Sequence, residues 1–180
     1  IRGNEQIYQP FDAVPEAQDW MGLFARDALR YPILLVHAPS HSGKTEWAAS
    51  LFKKPLLLEI GDKGVFPAEM RKLNRKIHDA LILDDIRDLT FLISNQEKLQ
   101  GKYDRLVEFA SSACGQHAFC KDLFCLPVVG TINNDTRNLD LLTTSDFLSN
   151  PSNVRLLSFS GRPGQVPPST TLQGTKASVN

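Results

Sequence analysis

Four stretches of this chain, at 31–36, 55–60, 80–83 and 126–132, are apolar at nearly every position and do not alternate apolar with polar. A strand with one wet face alternates, so runs of this kind belong to strands buried on both faces, which must be covered by helices above and below. The segments between them carry helical patterns: Lys44 through Phe52, residues 67–79 and roughly 97–113. Strands alternating with helices in this way predict an α/β fold built on a parallel sheet flanked by helices.

At 180 residues, with 42 % hydrophobic and 22 % charged side chains, the chain is sized for one globular domain with a substantial core. Phe11, Val14, Trp20, Met21, Phe24, Ala25 and Leu29 fall at helical spacings around Pro15, so residues 1–30 read as a helical lead-in to a main domain at 31–160. From 161 to 180 the composition turns to Gly, Pro, Ser and Thr, which cannot bury enough apolar surface to order itself, and a disordered tail is expected there. There is no internal repeat.

Twenty basic residues cancel twenty acidic ones, so no global positive field advertises nucleic-acid binding and any such contact must come from a local patch. Cys114, Cys120 and Cys125 are odd in number, contain no Cys-x-x-Cys pair and form no zinc spacing with His117. They read as reduced thiols of an intracellular protein, cytoplasmic or nuclear. No run approaches the ~18 apolar residues of a membrane span, and no secretory signal opens the chain. A start at Ile1 and not at methionine leaves open a fragment with a signal or domain upstream.

The first apolar run empties into Val36-His37-Ala38-Pro39-Ser40-His41-Ser42-Gly43-Lys44-Thr45. A phosphate-binding loop needs backbone N–H groups converging on phosphate, a lysine to neutralise charge and a hydroxyl for magnesium, all between a strand and a helix. Ser40, His41, Ser42, Gly43, Lys44 and Thr45 supply these as candidate nucleotide-binding residues, but Ala38 replaces the glycine expected five positions before Gly43. Ala38 tests the turn out of the strand and leaves the lysine and hydroxyl untouched. Ser-Gly-Lys-Thr also suits an ordinary helix start.

About forty residues on, Leu81-Ile82-Leu83 ends in Asp84-Asp85. One carboxylate at a strand end can hold magnesium, with Thr45, and the other can polarise an attacking water, although an acidic pair after a strand is also a common turn. The fourth run ends in Thr131-Ile132-Asn133-Asn134, where the Asn133 amide can orient water and sense a terminal phosphate, or simply form a turn.

With the loop, the acidic pair and the Thr-x-Asn strand in this order, residues 30–160 resemble the ATPase domain of superfamily 3 helicases, nearest to that of the Rep replication initiators of circular single-stranded DNA viruses. The resemblance implies an AAA+-like P-loop NTPase fold, ATP and magnesium as cofactors, a homo-oligomer in the form of a hexameric ring, and 3′-to-5′ movement on single-stranded DNA. By position, Lys44 and Thr45 would bind phosphates and magnesium, Asp84 and Asp85 would be the metal and catalytic carboxylates, and Asn133 the sensor. Arg155 occupies the region where such domains place an arginine that reaches a neighbour's nucleotide; a lone arginine is also an ordinary solvated charge. The chain departs from the pattern at Ala38 and at the apolar Ile132, and residues 1–30 cannot supply the nuclease domain that precedes the helicase in Rep proteins. Nicking is therefore not expected.

Lys121 and His117, in a segment with Phe119 and Phe124, are candidates for contact with single-stranded DNA or RNA, because aromatics stack on bases and cations neutralise phosphate. The same aromatics read equally as the core of a hairpin. The basic cluster at 70–76 would line a pore or simply face solvent. The leading expectation is a magnesium-dependent ATPase, helicase-like, acting on single-stranded nucleic acid with no membrane association. The alternatives are a degenerate P-loop domain serving as a nucleotide-binding interaction or regulatory module, host-captured or an effector, and a small phosphotransferase.

Overall fold

A computed structural model of the protein describes residues 11–62, 64–110, 118–133 and 135–163. In chain order the elements are α1 (Pro15–Gly22), β1 (Ile33–His37), α2 (Lys44–Ser50), β2 (Pro55–Gly61), β3 (Ala80–Ile86), α3 (Thr90–Ser94), α4 (Gln96–Gln100), β4 (Val107–Ala110), β5 (Ala118–Lys121), β6 (Val128–Ile132), α5 (Thr136–Thr144), α6 (Asp146–Ser149) and β7 (Val154–Ser158). Short 3₁₀ turns cover Leu23–Ala25 and Ala68–Lys72. Five strands form one sheet in the order β2-β3-β6-β1-β7, every neighbouring pair parallel. The fold is α/β with a five-stranded parallel sheet flanked by helices.

The uniformly apolar runs do what their composition requires. Every residue of β1 and β6 is buried, with alternate side chains entering opposite layers. Leu34, Val36, Ile82 and Val129 pack with Trp20 of α1, Trp47 of α2 and Phe159. Ile33, Leu35, Leu81, Leu83 and Val128 face the other way, onto Phe91 and Leu92 of α3, Leu99 of α4 and Leu142 of α5. The edge strand β2 alternates instead: Leu56, Leu58 and Ile60 are buried while Leu57 is half exposed.

Three expectations change. Residues 67–79 are not a helix but a 3₁₀ turn at Ala68–Lys72 followed by turns, because Asn74 folds its own side chain back to accept from the Lys76 N–H. Among its described residues, the stretch 97–113 is helical only to Gln100; Gly101, at φ +59°, ends it, and β4 pairs antiparallel with β5 to make a hairpin. The lead-in helix stops at Gly22 and relaxes into the 3₁₀ turn. The fifth strand of the sheet, β7, was not expected. Of the anticipated tail, 161–163 are described, and Pro163 is buried there. The remainder, like residues 1–10, lies outside the described residues, among which no helix is long and apolar enough to cross a membrane.

Gly101 is where the sheet layer meets the hairpin. A Cβ at this position would lie 2.7 Å from both the Leu123 carbonyl carbon and the Phe124 nitrogen, backbone atoms that cannot swing aside. Gly101→Ala is expected to lower the unfolding free energy by about 2 kcal/mol or more, through strain at positive φ plus this overlap. A shift of the urea midpoint measures it; an unchanged midpoint would contradict the packing.

Candidate functional site

In a parallel sheet all strands end on the same edge, and the crevice outside those carboxyl ends is where ligands bind. Here that edge gathers His37 from β1, Asp84 and Asp85 from β3, and Thr131 from β6, with Asn133 just beyond. β6 lies between β1 and β3, with Thr131 level with Val36, so residues separated by many positions in sequence meet around one strand end.

The first cluster is a three-way contact of oxygens. Thr45 donates its hydroxyl to Asp84 Oδ1 at 2.6 Å, and Thr131 donates to the same oxygen at 2.8 Å. The Thr131 hydroxyl in turn accepts the Asp85 backbone N–H at 2.9 Å, which ties the acidic pair to β6. Thr131 is fully buried, so this is its whole role: it fixes the rotamer of Asp84 and the path of the chain through Asp85.

The second cluster joins the lysine to the other carboxylate. Lys44 Nζ donates to Asn133 Oδ1 at 2.5 Å and to the Pro39 carbonyl at 3.3 Å; Asn133 Nδ2 reaches Asp85 Oδ1 at 3.3 Å. Asp85 also pairs through Oδ2 with Arg87 Nε at 3.2 Å, and Arg87 reaches Asp62. These carboxylates raise the Arg87 pKa, the hydrogen bond that Arg87 donates to Asp85 foremost. The turn after β3 is clamped by the buried Asn138, which accepts from the Leu89 N–H and donates to the Arg87 carbonyl. Lys44 is 8 % exposed, and burial lowers its pKa in spite of the opposing pull of Asp84, Asp85 and Glu46. The ammonium is thus held in a place that disfavours its charge, which suits a group whose partner would be an anion.

The loop between β1 and α2 turns back on itself through two residues in the left-handed region, His41 at φ +58° and Gly43 at φ +82°. Alternation of this kind points successive N–H groups inward. Asp85, at φ +53°, is a third such residue in the same site. Ala38 is not among them: it is fully buried beside Trp47 and the rest of that layer, and its N–H bonds to the Ile132 carbonyl at 3.3 Å. An alanine is therefore no obstacle, because the turn out of β1 here needs no positive φ at 38. Within the loop the Ser42 hydroxyl oxygen is buried with no hydrogen-bond partner among the described residues. On the β7 side the loop borders an open cleft of about 590 Å³.

Thus Ser40, His41, Ser42, Gly43, Lys44, Thr45, Asp84, Asp85 and Asn133 share one strand-end edge. Arg155 does not join them. It lies level with Leu34, near the start of β7, and donates from Nε to the Pro151 carbonyl. Lys121 ends the hairpin strand β5, donates to the Leu73 carbonyl at 2.7 Å and lies 5.9 Å from the centre of the Phe119 ring, so it is folded onto the protein. His117 lies outside the described residues. The basic cluster also packs on this hairpin: Arg71 stands over Phe119, and Arg75 bonds to the Asp122 and Phe124 carbonyls. Thr131, Arg87 and Asn138 were missed as site residues. Thr131 carried a signal, its place at the end of an apolar strand; the other two carried none.

No protein-family model matches the chain, and a search of curated proteins finds no significant match. Among the described residues no three His, Cys, Asp or Glu side chains gather as a metal cage. One hydroxyl, on Thr45, and one carboxylate, on Asp84, remain as the donor set. Hard oxygens in that number fit magnesium, which keeps several waters and takes phosphate oxygens, and do not fit zinc.

Two outcomes are expected. Ala38→Gly removes a buried methyl and adds backbone freedom, so it should cost about 1–2 kcal/mol of stability without improving ligand binding; tighter binding by the variant would mean that the turn is strained. The Lys44 pKa is depressed on folding, so the penalty for its charge is fully present at neutral pH and is relieved as pH rises through the folded value toward 10.5. Lys44→Met should therefore be more favourable, relative to wild type, at pH 7 than near the unfolded lysine pKa, as read by urea unfolding at the two pH values.

Proposed function

We propose that this chain is a magnesium-dependent nucleoside triphosphatase of the P-loop, AAA+-like kind, helicase-like in type, acting on single-stranded DNA or RNA as a homo-oligomer such as a hexameric ring. The observation that carries the reading is the joining of three sequence motifs into one hydrogen-bonded site: Lys44 to Asn133 across 89 positions, and Thr45 to Asp84 across 39. A chance Ser-Gly-Lys-Thr helix start would have no reason to meet an acidic strand end and an amide.

The loop N–H groups and Lys44 would bind the phosphates, with the Ser42 hydroxyl as a further donor in reach of the loop interior. Thr45 and Asp84 would hold magnesium, which when bound neutralises charge on the transferring phosphoryl group. Asp85 and Asn133, already within hydrogen-bond reach of each other, would take the attacking water between them, Asp85 accepting its proton and Asn133 fixing its orientation. Thr131 keeps Asp84 and Asp85 apart in role by committing one oxygen of Asp84 to hydroxyl donors. Arg155, exposed on the edge strand β7, would act on a neighbouring protomer if it acts at all in the chemistry.

A second reading is favoured by one observation, the Arg87 guanidinium on Asp85. With Oδ2 on Arg87 and Oδ1 within reach of Asn133, both Asp85 oxygens already have partners, which suits a domain that binds nucleotide as a regulatory or interaction module and does not turn it over. Nothing favours the phosphotransferase, since Arg71 and Arg75 are occupied on the hairpin.

Phosphate release with magnesium and ATP separates these. In the triphosphatase, Asp85→Asn should lower turnover about 100-fold or more with affinity for ATP held within about threefold. Equal turnover in variant and wild type would remove Asp85 from the chemistry. Binding without any turnover in wild type would favour the regulatory module.

A further inference from the structure

The cleft beside the loop has a composition that phosphate binding leaves unexplained. Its walls are loop residues 39–43 with Glu46 on one side, and Phe11 with 160–162 on the other; none of Lys44, Asp84, Asp85 or Asn133 lines it. The acids stand on the β3 and β6 side of the loop, and the cleft opens on the β7 side. A triphosphate whose terminal group sits by Asp85 and Asn133 must cross the loop in that direction, so whatever it carries arrives in this cleft. At about 590 Å³ the space falls inside the roughly 300–1,000 Å³ of small-molecule sites.

At the far wall the Arg162 guanidinium lies 4.8 Å from the centre of the Phe11 ring. Both groups are half-buried, and Phe11 is backed by the α1 and α2 packing layer, which holds its ring in place. The guanidinium lies over the ring, so its own outer face, backed by Phe11, is a planar cationic surface of the kind on which nucleobases stack. We infer that Phe11 and Arg162 form the nucleobase subsite of this chain, holding the base by stacking, with Glu46 and Ser160 placed along the cleft for ribose hydroxyls. Stacking reads the π face that every base has and not the hydrogen-bonding edge, so the substrate class is nucleoside triphosphates in general and is not restricted to ATP. The inference rests on the triphosphatase reading for the phosphate end alone.

The test compares ATP, GTP and inorganic tripolyphosphate, each with magnesium, by calorimetric titration of wild type, Phe11→Ala and Arg162→Gln. Tripolyphosphate has the phosphates and no base. Each variant should lose about tenfold or more in affinity for ATP and GTP while tripolyphosphate binding stays unchanged, which also shows that the variants are folded. In wild type, ATP and GTP should bind within about tenfold of each other. ATP affinity unchanged in both variants would overturn the base subsite and leave the phosphate site standing, as would parallel loss of tripolyphosphate in both. Failure of wild type to bind either ATP or tripolyphosphate would overturn the nucleotide reading itself. Selection of one purine by more than about a hundredfold would overturn recognition by stacking.

Discussion

The pairing of β6 with β1 on one side and β3 on the other is the constraint on which the site depends. On the face of the sheet, Gly130 leaves room for the side-chain ends of its neighbours: a Cβ there would meet Ile86 Cδ1 at 2.9 Å and Leu35 Cδ1 at 3.1 Å. With the three strands in parallel register, the next residue, Thr131, emerges level with Val36 and next to Asp84. The Thr131 hydroxyl then does two jobs at once, donating to the Asp84 carboxylate and accepting from the Asp85 backbone. Two residues further, Asn133 is delivered between Lys44 and Asp85. A loop, an acid pair and an amide that are far apart in the chain become neighbours because one strand is threaded between two others.

The site is costly to keep. Three residues in it, His41, Gly43 and Asp85, adopt positive φ, and two of them are not glycine. Lys44 is buried where its charge is disfavoured, and the Ser42 hydroxyl is buried without a partner among the described residues. Features of this kind persist when the surrounding fold over-determines them, and they concentrate where ligands bind. Here the surroundings are the two packed layers against β1 and the Asn138 clamp on the turn after β3. Ala38 belongs to those layers and not to the strained part of the loop.

Much of this was legible in the sequence, for physical reasons that also mark where legibility ended. Strands β1, β3 and β6 are buried on both faces and so declare themselves by composition alone, as Ile33–Val36 does. β7 mixes an exposed arginine into an edge strand, and its signal was lost. The helix pattern at 67–79 failed because the Asn74 side chain offers the backbone another partner, and that at 97–113 because Gly101 accepts a close backbone approach from Leu123, a tertiary fact. Within the site, Lys44, Thr45, Asp84, Asp85 and Asn133 are chemically marked by residue type and spacing. Arg87 and Asn138 act through geometry that only the folded turn after β3 creates. Lys121 was read as a candidate nucleic-acid contact, and the fold bonds its ammonium to the Leu73 carbonyl.

The central claim is that Lys44 and its surroundings bind the phosphates of a nucleotide. Equilibrium binding of ATP with magnesium to wild type and to Lys44→Ala, under conditions where both are shown to be folded by circular dichroism, tests it most directly. The account predicts saturable, magnesium-dependent binding by wild type that weakens at least about a hundredfold when the buried ammonium is removed. Equal affinity in the two proteins, or none in wild type, would contradict it.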